Sequence, residues 1–224
     1  MRAITPQGLV EVPTRSNAFT RAEHGHGGLT GSMVGDTVDA ESPGMPPEEV
    51  HLVLEALRTA GFDRVWVGGG WGVDALAGRQ TRQHRDLDLA VDVTRSTLDQ
   101  VIDALSERGY AVETDWRPVR VELAAPGSRW VDVHPLTFDE HGVGQQANAA
   151  GQAPFVYPPG AFARGNLGGR PVDCLSVAQQ LTFHSGYGPR AHDLLDIALL
   201  EAMDRQSVTN PVGLAPARTC FGVC

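Results

Sequence analysis

The sequence has no lysine: all 18 of its Lys-plus-Arg positions are arginine. That bias fits a GC-rich coding sequence, so no arginine is read as chosen for chemistry on its type alone, and any phosphate site must do without an ammonium group. Cysteine is scarce. Cys174, Cys220 and Cys224 show no paired spacing, so no disulfide framework is read. No apolar run approaches the roughly 18 residues of a membrane span, and the N-terminus lacks the charged-then-apolar layout of a signal peptide. The expectation is a cytoplasmic chain without a membrane partner. Positive charge is also in deficit, with a formal net charge of −9. This counts against a nucleic-acid backbone as partner, since such binders carry basic stripes; it suits a cationic ligand or a bound metal.

What is present is uneven along the chain. Residues 1–45 are rich in Gly, Thr, Ser and Pro without periodicity and are expected to form a disordered or loosely packed tail. Order is expected from "PPEEVHLVLEALRTAG", a helix with a stripe of Leu52, Leu54, Ala56 and Leu57 ended by Gly61. Val65–Val67 reads as a short buried strand, Gly68–Gly70 as a turn, "WGVDALAG" as a short helix stopped by Gly78, and "DLDLAVDV" as a second strand. "STLDQVIDALSERG" reads as a helix capped by Ser96, and "RPVRVELAAPGSRWVDVHPLTF" as a hairpin around Pro126-Gly127. The expected division is a mixed α/β unit at 46–140, a loop-rich connection at 141–172, two helices at 173–205 with Leu194, Leu195, Ile197, Ala198 and Leu199 as a core stripe, and a tail at 206–224.

The chemistry concentrates in "HRDLDLAVD". Residues two apart on a strand share a face, about 6.5 Å between Cα atoms, so Asp86 and Asp88 stand together while Leu87, Leu89 and Val91 turn to a core. Two ionised carboxylates so close call for a cation, and Mg²⁺ takes hard oxygen ligands of this kind. The alternative is a strand with one solvated face. Three neighbours favour the metal. "VGGGW" offers backbone N–H groups at a helix start, able to cradle phosphate. "RWVDVHP" alternates so that Trp130, Asp132 and His134 share a face, which brings a third acid if the strands lie side by side. Arg79, Arg82, His84 and Arg85 flank the acids and could neutralise a triphosphate.

The stretch "GGGWGVDALAGRQTRQHRDLDLAVD" resembles the nucleotidyltransferase motif of small antibiotic-modifying enzymes, the lincosamide nucleotidyltransferases and aminoglycoside 2″-adenylyltransferases of the DNA polymerase β-like superfamily. "WVDVHPLTFDEHGVGQ", "GGRPVDCLSVAQQLTFHSGY" and "HDLLDIALL" extend the resemblance over roughly 47–203. It implies an α+β polymerase β-like nucleotidyltransferase fold: a small mixed sheet flanked by helices, followed by a C-terminal helical subdomain. It also implies transfer of a nucleoside monophosphate, AMP from ATP or another NTP, to a hydroxyl of a small molecule with release of pyrophosphate, as in antibiotic resistance. In that reading Asp86 and Asp88 hold Mg²⁺, of which two ions are expected, and Asp132 is base, metal ligand or both. Gly69 and Gly70 hold phosphate. Arg82 and His84 contact phosphate or orient the acids, with a structural cap as the other reading of His84. Glu122, His134 and Tyr187 are candidates on the acceptor side; His134 either orders Asp132 or is a buried structural ring. The competing reading is a polymerase β-like toxin or regulator that nucleotidylates tRNA or a protein, against which the acidic charge stands.

Overall fold

The computed structural model describes residues 2–5, 8–11, 44–185 and 188–209. Tyr187, Cys220, Cys224 and the expected tails at 12–43 and 210–224 lie outside them. Two short strands, β1 (Arg2–Thr5) and β2 (Gly8–Glu11), form a separate antiparallel pair within the stretch expected to be unstructured.

α1 (Pro47–Thr59) starts on prolines and two glutamates, the chemistry of a helix N-terminus. Its buried apolar face is Val50, Val53 and Leu57, so of the expected stripe Leu57 is fully buried, Leu54 packs partly against the core and Leu52 is 44% exposed. The i, i+3, i+7 set closes one face at 3.6 residues per turn, whereas Leu52 and Leu54 fall off its edge. β3 (Val65–Val67) is buried throughout, and α2 (Gly69–Ala77) follows at once, ending on Gly78 with φ 68°. β4 (Leu87–Asp92) and α3 (Leu98–Ser106) come next. The cap of α3 is Thr97, one residue after the expected Ser96, because Thr97 and Gln100 form a reciprocal capping box. β5 (Ala111–Trp116) had no counterpart in the sequence reading. The expected hairpin is β6 (Arg120–Ala125) and β7 (Arg129–Phe138).

The span 141–172 is not a loop. It contains β8 (Gly144–Gln146), β9 (Phe155–Tyr157), a 3₁₀ turn at Pro159–Ala161, β10 (Phe162–Leu167) and the start of β11 (Arg170–Leu175). Many of its glycines and prolines sit at the joints between strands, and β8 and β9, three residues each, are too brief to carry a readable alternation. The helices α4 (Val177–His184) and α5 (Ala191–Thr209) follow, so the helical part begins after β11 rather than at 173.

The main sheet runs β10-β11-β3-β4-β7-β6-β5, with β8 and β9 continuing from β7. β11 pairs parallel with β3, and β4 pairs parallel with β7; the other neighbours on that path are antiparallel. One face of the central strands, with Leu87, Leu89, Val91, Val121, Leu123, Val131 and Val133, packs beneath α1 and α3 in a single apolar cluster. The opposite face carries Trp66, Ala90 and Leu136 against Tyr157, Leu175 and Phe183. The fold is thus the mixed sheet with flanking helices that the sequence implied. Among the described residues, no helix is long and apolar enough to cross a membrane.

α5 departs most from expectation. Leu194 and Leu195 are 54% and 67% exposed, while Asp193, Asp196 and Leu200 are buried. The face turned to the protein is carboxylate-rich because its partners are arginines: Asp196 takes Arg82, and Asp193 takes Arg190.

Candidate active site

Strand register builds the centre of the site. Asp88 on β4 is directly opposite Asp132 on β7, and Asp132 is directly opposite Glu122 on β6. Three acids from distant parts of the chain therefore form one row across adjacent strands. The apolar residues between them in sequence point to the other face, as the alternation required. His134 shares the face of Asp132. Its Nε2 lies 3.3 Å from Asp88 Oδ1 and 3.9 Å from Asp132 Oδ2. Ligand-type atoms of Asp88, Asp132 and His134 all lie within 4.8 Å of one another. Asp86, just before β4, is at the rim with its side chain 42% exposed and Arg85 3.4 Å away. It is not part of that tight group, though its charge and that of Asp88 are felt by each other.

The electrostatics differ along the row. Burial raises the Asp132 carboxyl to about 6, the nearby Asp88 adding to it and His134 and Arg120 working against it. Burial, then the Asp88 charge, raises Asp86. Burial acts most strongly against an ionised Asp88, but the His134 hydrogen bond together with the positive charges of His134, Arg120 and His184 outweighs it and holds Asp88 below the ordinary carboxylate range. Sequence reading missed Arg120, whose guanidinium binds Asp132 Oδ2 and lies over the Trp116 ring. A signal existed: Arg120 and Glu122 are two apart in "VRVEL" and had to share a face. Asp132 Oδ1, by contrast, is buried without a hydrogen-bond partner. A carboxylate oxygen left bare beside other carboxylates is costly unless a cation meets it, so the oxygen donors here fit a hard divalent ion.

The glycine turn abuts this row. Gly68 N–H donates to the Asp88 carbonyl at 2.9 Å, and Gly68 offers no side-chain cap to α2. The leading amides of α2 therefore remain for an external acceptor, the arrangement that binds phosphate. Gly69 has φ 53°, and a Cβ there would stand 2.0 Å from Asp88 Oδ2. A Cβ on Gly70 would stand 2.3 Å from His84 Nδ1. Gln180 of α4 donates to the Gly69 carbonyl at 3.1 Å, tying the turn to the helical part. His184, also on α4, is close enough to bear on the ionisation of Asp88.

Two expected phosphate contacts border Gly70 while pairing with other side chains; a Cβ there would also stand 2.6 Å from Arg82 Nη2. His84 is 2% exposed beneath α2, with Nε2 on buried Asp74 and its ring against Trp71. Asp74 also accepts from the Thr81 backbone and hydroxyl. The pairing with Asp74 fits the structural reading of His84, while its Nδ1, buried without a hydrogen-bond partner, faces Gly70. Arg82 is spent on α5, with Nε 3.2 Å and Nη2 2.7 Å from the Asp196 oxygens. Asp92 pairs with Arg64 away from the site. The other residues missed come from the span read as loop: Gln146, whose amide reaches His134, and Tyr157, whose hydroxyl donates to Gln146.

The family model described as aminoglycoside-2″-adenylyltransferase matches residues 49–200. A lincosamide resistance protein of Staphylococcus haemolyticus is 38% identical over 138 residues, covering 62% of this chain and 84% of that protein. A 2″-aminoglycoside nucleotidyltransferase of Escherichia coli is 33% identical over 128 residues, covering 57% of this chain and 66% of that protein. Among solved structures, a lincosamide antibiotic adenylyltransferase with lincomycin bound superposes with a TM-score of 0.64 at 34% identity, covering 71% of this chain and 99% of that one. An aminoglycoside 2″-enzyme in complex with adenylyl-2″-tobramycin, at 21% identity, shares the fold with a TM-score of 0.56, covering 73% of this chain and 92% of that one.

Proposed function

This chain belongs to the aminoglycoside-2″-adenylyltransferase family, and from that premise we propose that it transfers AMP from ATP to a hydroxyl of an antibiotic, with a lincosamide as the first acceptor to try. The observation that carries the reading is the in-register row Asp88, Asp132, Glu122 with the bare Asp132 Oδ1, set against an uncapped helix start. The two relatives matched at the higher identities and over most of their own lengths, 84% and 99%, are the lincosamide ones.

In this reading Asp86, Asp88 and Asp132 hold Mg²⁺, which supplies Lewis acidity and neutralises phosphate charge when bound. The amides of Gly69 and Gly70 receive phosphate oxygens. Asp132 is the base. Its carboxyl, raised to about 6 by burial, is ionised at neutral pH yet basic enough to take a proton. Oδ2 is held by Arg120, so Oδ1 would offer one lone pair to the ion and the other to the hydroxyl proton. The acceptor oxygen bonds to the α-phosphorus, the bond from that phosphorus to the bridging oxygen breaks, and pyrophosphate leaves. Glu122 and His134 flank the acceptor side of the row.

The test is pyrophosphate release from ATP, GTP, CTP and UTP with Mg²⁺ against a panel of lincosamides and aminoglycosides, the acceptor read by mass spectrometry. A lincosamide gaining one AMP is the expected result. Tight nucleotide binding with no modified acceptor would move the activity to another small molecule.

A further inference from the structure

Gln146 joins the site from β8, and its contacts decide what His134 is able to do. The residue is 5% exposed. Its amide nitrogen lies 3.1 Å from the Val119 carbonyl and 2.9 Å from His134 Nδ1, and its oxygen accepts from the Tyr157 hydroxyl at 2.7 Å. A backbone carbonyl only accepts, so the group facing Val119 must be the NH₂; a flipped amide would set two oxygens against each other. The two amide hydrogens then go to Val119 and to His134 Nδ1. Nδ1 is therefore the lone-pair nitrogen, and the ring's proton is on Nε2, pointing at Asp88 Oδ1 3.3 Å away. A second proton would have only Nδ1 to occupy, where Gln146 already points an N–H.

We propose that Gln146 is a positioning residue that locks His134 in its Nε2–H form, making the ring a hydrogen-bond donor that orients Asp88 and barring it from ligating the metal. His134 sits within ligand distance of the two acids, so without this lock the cluster would offer a nitrogen ligand suited to zinc or cobalt. With it, the donors are oxygens only, the set that favours Mg²⁺. The metal half of the inference rests on the function proposed above; the tautomer half does not.

Long-range ¹H–¹⁵N correlation spectra of the metal-free protein read the tautomer directly. His134 should show the Nε2–H pattern in the unaltered chain and in Tyr157→Phe, which keeps both amide contacts. Gln146→Glu replaces the donor with an acceptor and should shift His134 towards Nδ1–H. A His134 carrying its proton on Nδ1 in the unaltered chain, or an Nε2–H ring unmoved by Gln146→Glu, would overturn the proposal. Calorimetry with MgCl₂ and CoCl₂ alone tests the second half. Gln146→Glu should improve Co²⁺ affinity relative to Mg²⁺ at least tenfold, with nitrogen ligation visible in the Co²⁺ absorption spectrum. An unchanged ratio with a switched tautomer refutes the metal gate. If the unaltered chain binds neither ion, the metal reading of the site fails instead, and the spectra still decide the lock.

Discussion

Replacing Gly69 with alanine puts a backbone penalty and a steric penalty on one residue, and Gly78 offers a way to separate them. Both glycines have positive φ, 53° and 68°. An L-residue pays roughly 1–2 kcal/mol in that region, or about 2–8 °C in Tm for a domain of this size. At Gly78 nothing lies within 4 Å of the added Cβ, so Gly78→Ala should show that loss and nothing else. At Gly69 the Cβ would stand 2.0 Å from Asp88 Oδ2, where ordinary contact begins at 3.4 Å. The carboxylate must retreat by more than an ångström, and a displacement of about 1 Å among reacting groups costs on the order of 100-fold in rate. Gly69→Ala should therefore lose about two orders of magnitude in turnover and much of its Mg²⁺ affinity, at a Tm close to that of Gly78→Ala. The assays are thermal unfolding, calorimetry with MgCl₂ and pyrophosphate release. Equal turnover in the two variants would refute the placement of Asp88 beside the turn.

Asp86→Asn and Asp88→Asn should each abolish transfer while circular dichroism stays unchanged; near-normal turnover in either would remove that carboxylate from the metal assignment. For Asp132 the sign is worked from its folded value of about 6, above the ordinary 3.8. Its stabilising share is complete below 3.8 and fades as pH rises through 6, a loss of about 3 kcal/mol at 1.36 per unit. Mg²⁺ takes the ionised form, so its affinity should be about tenfold weaker at pH 5 than at pH 7, and a flat calorimetric profile across that range would contradict the burial argument. Arg82→Ala leaves Asp196, 2% exposed, without its partner and should cost about 3–5 kcal/mol in denaturant unfolding. The double variant Arg82→Met, Asp196→Leu should regain most of that with the KM for ATP unaltered; a raised KM there would return Arg82 to the phosphates.

The acid row was legible because a period of two is a local property. Asp86, Asp88, Asp132 and His134 could be assigned faces from a few residues each, and the Gly-Gly turn and Pro126-Gly127 hairpin announce themselves in the same way. What did not read was anything decided by a distant partner. α5 buries Asp196 because Arg82 waits 114 positions away for it, and no helical periodicity encodes that. Gln146 and Tyr157 lie in three-residue strands, too short for a pattern, and gain their role only from the position of His134. The parallel pairing of β11 with β3 joins Cys174 to Val67 and leaves no trace near either.

That last pairing bears on how the enzyme comes into being. A chain leaving the ribosome N-terminus first has made β3, β4 and β7, with the acids they carry, well before residue 170 exists. Until β11 arrives, β3 presents an unpaired edge right beside the glycine turn, a template for wrong partners. A message cut short between 140 and 170 would yield a product with its acids in place and its sheet open, prone to clump rather than to work at reduced capacity. The late strand is in this sense a completion signal: the corner at the glycine turn is sheltered only once nearly the whole described chain has been synthesised.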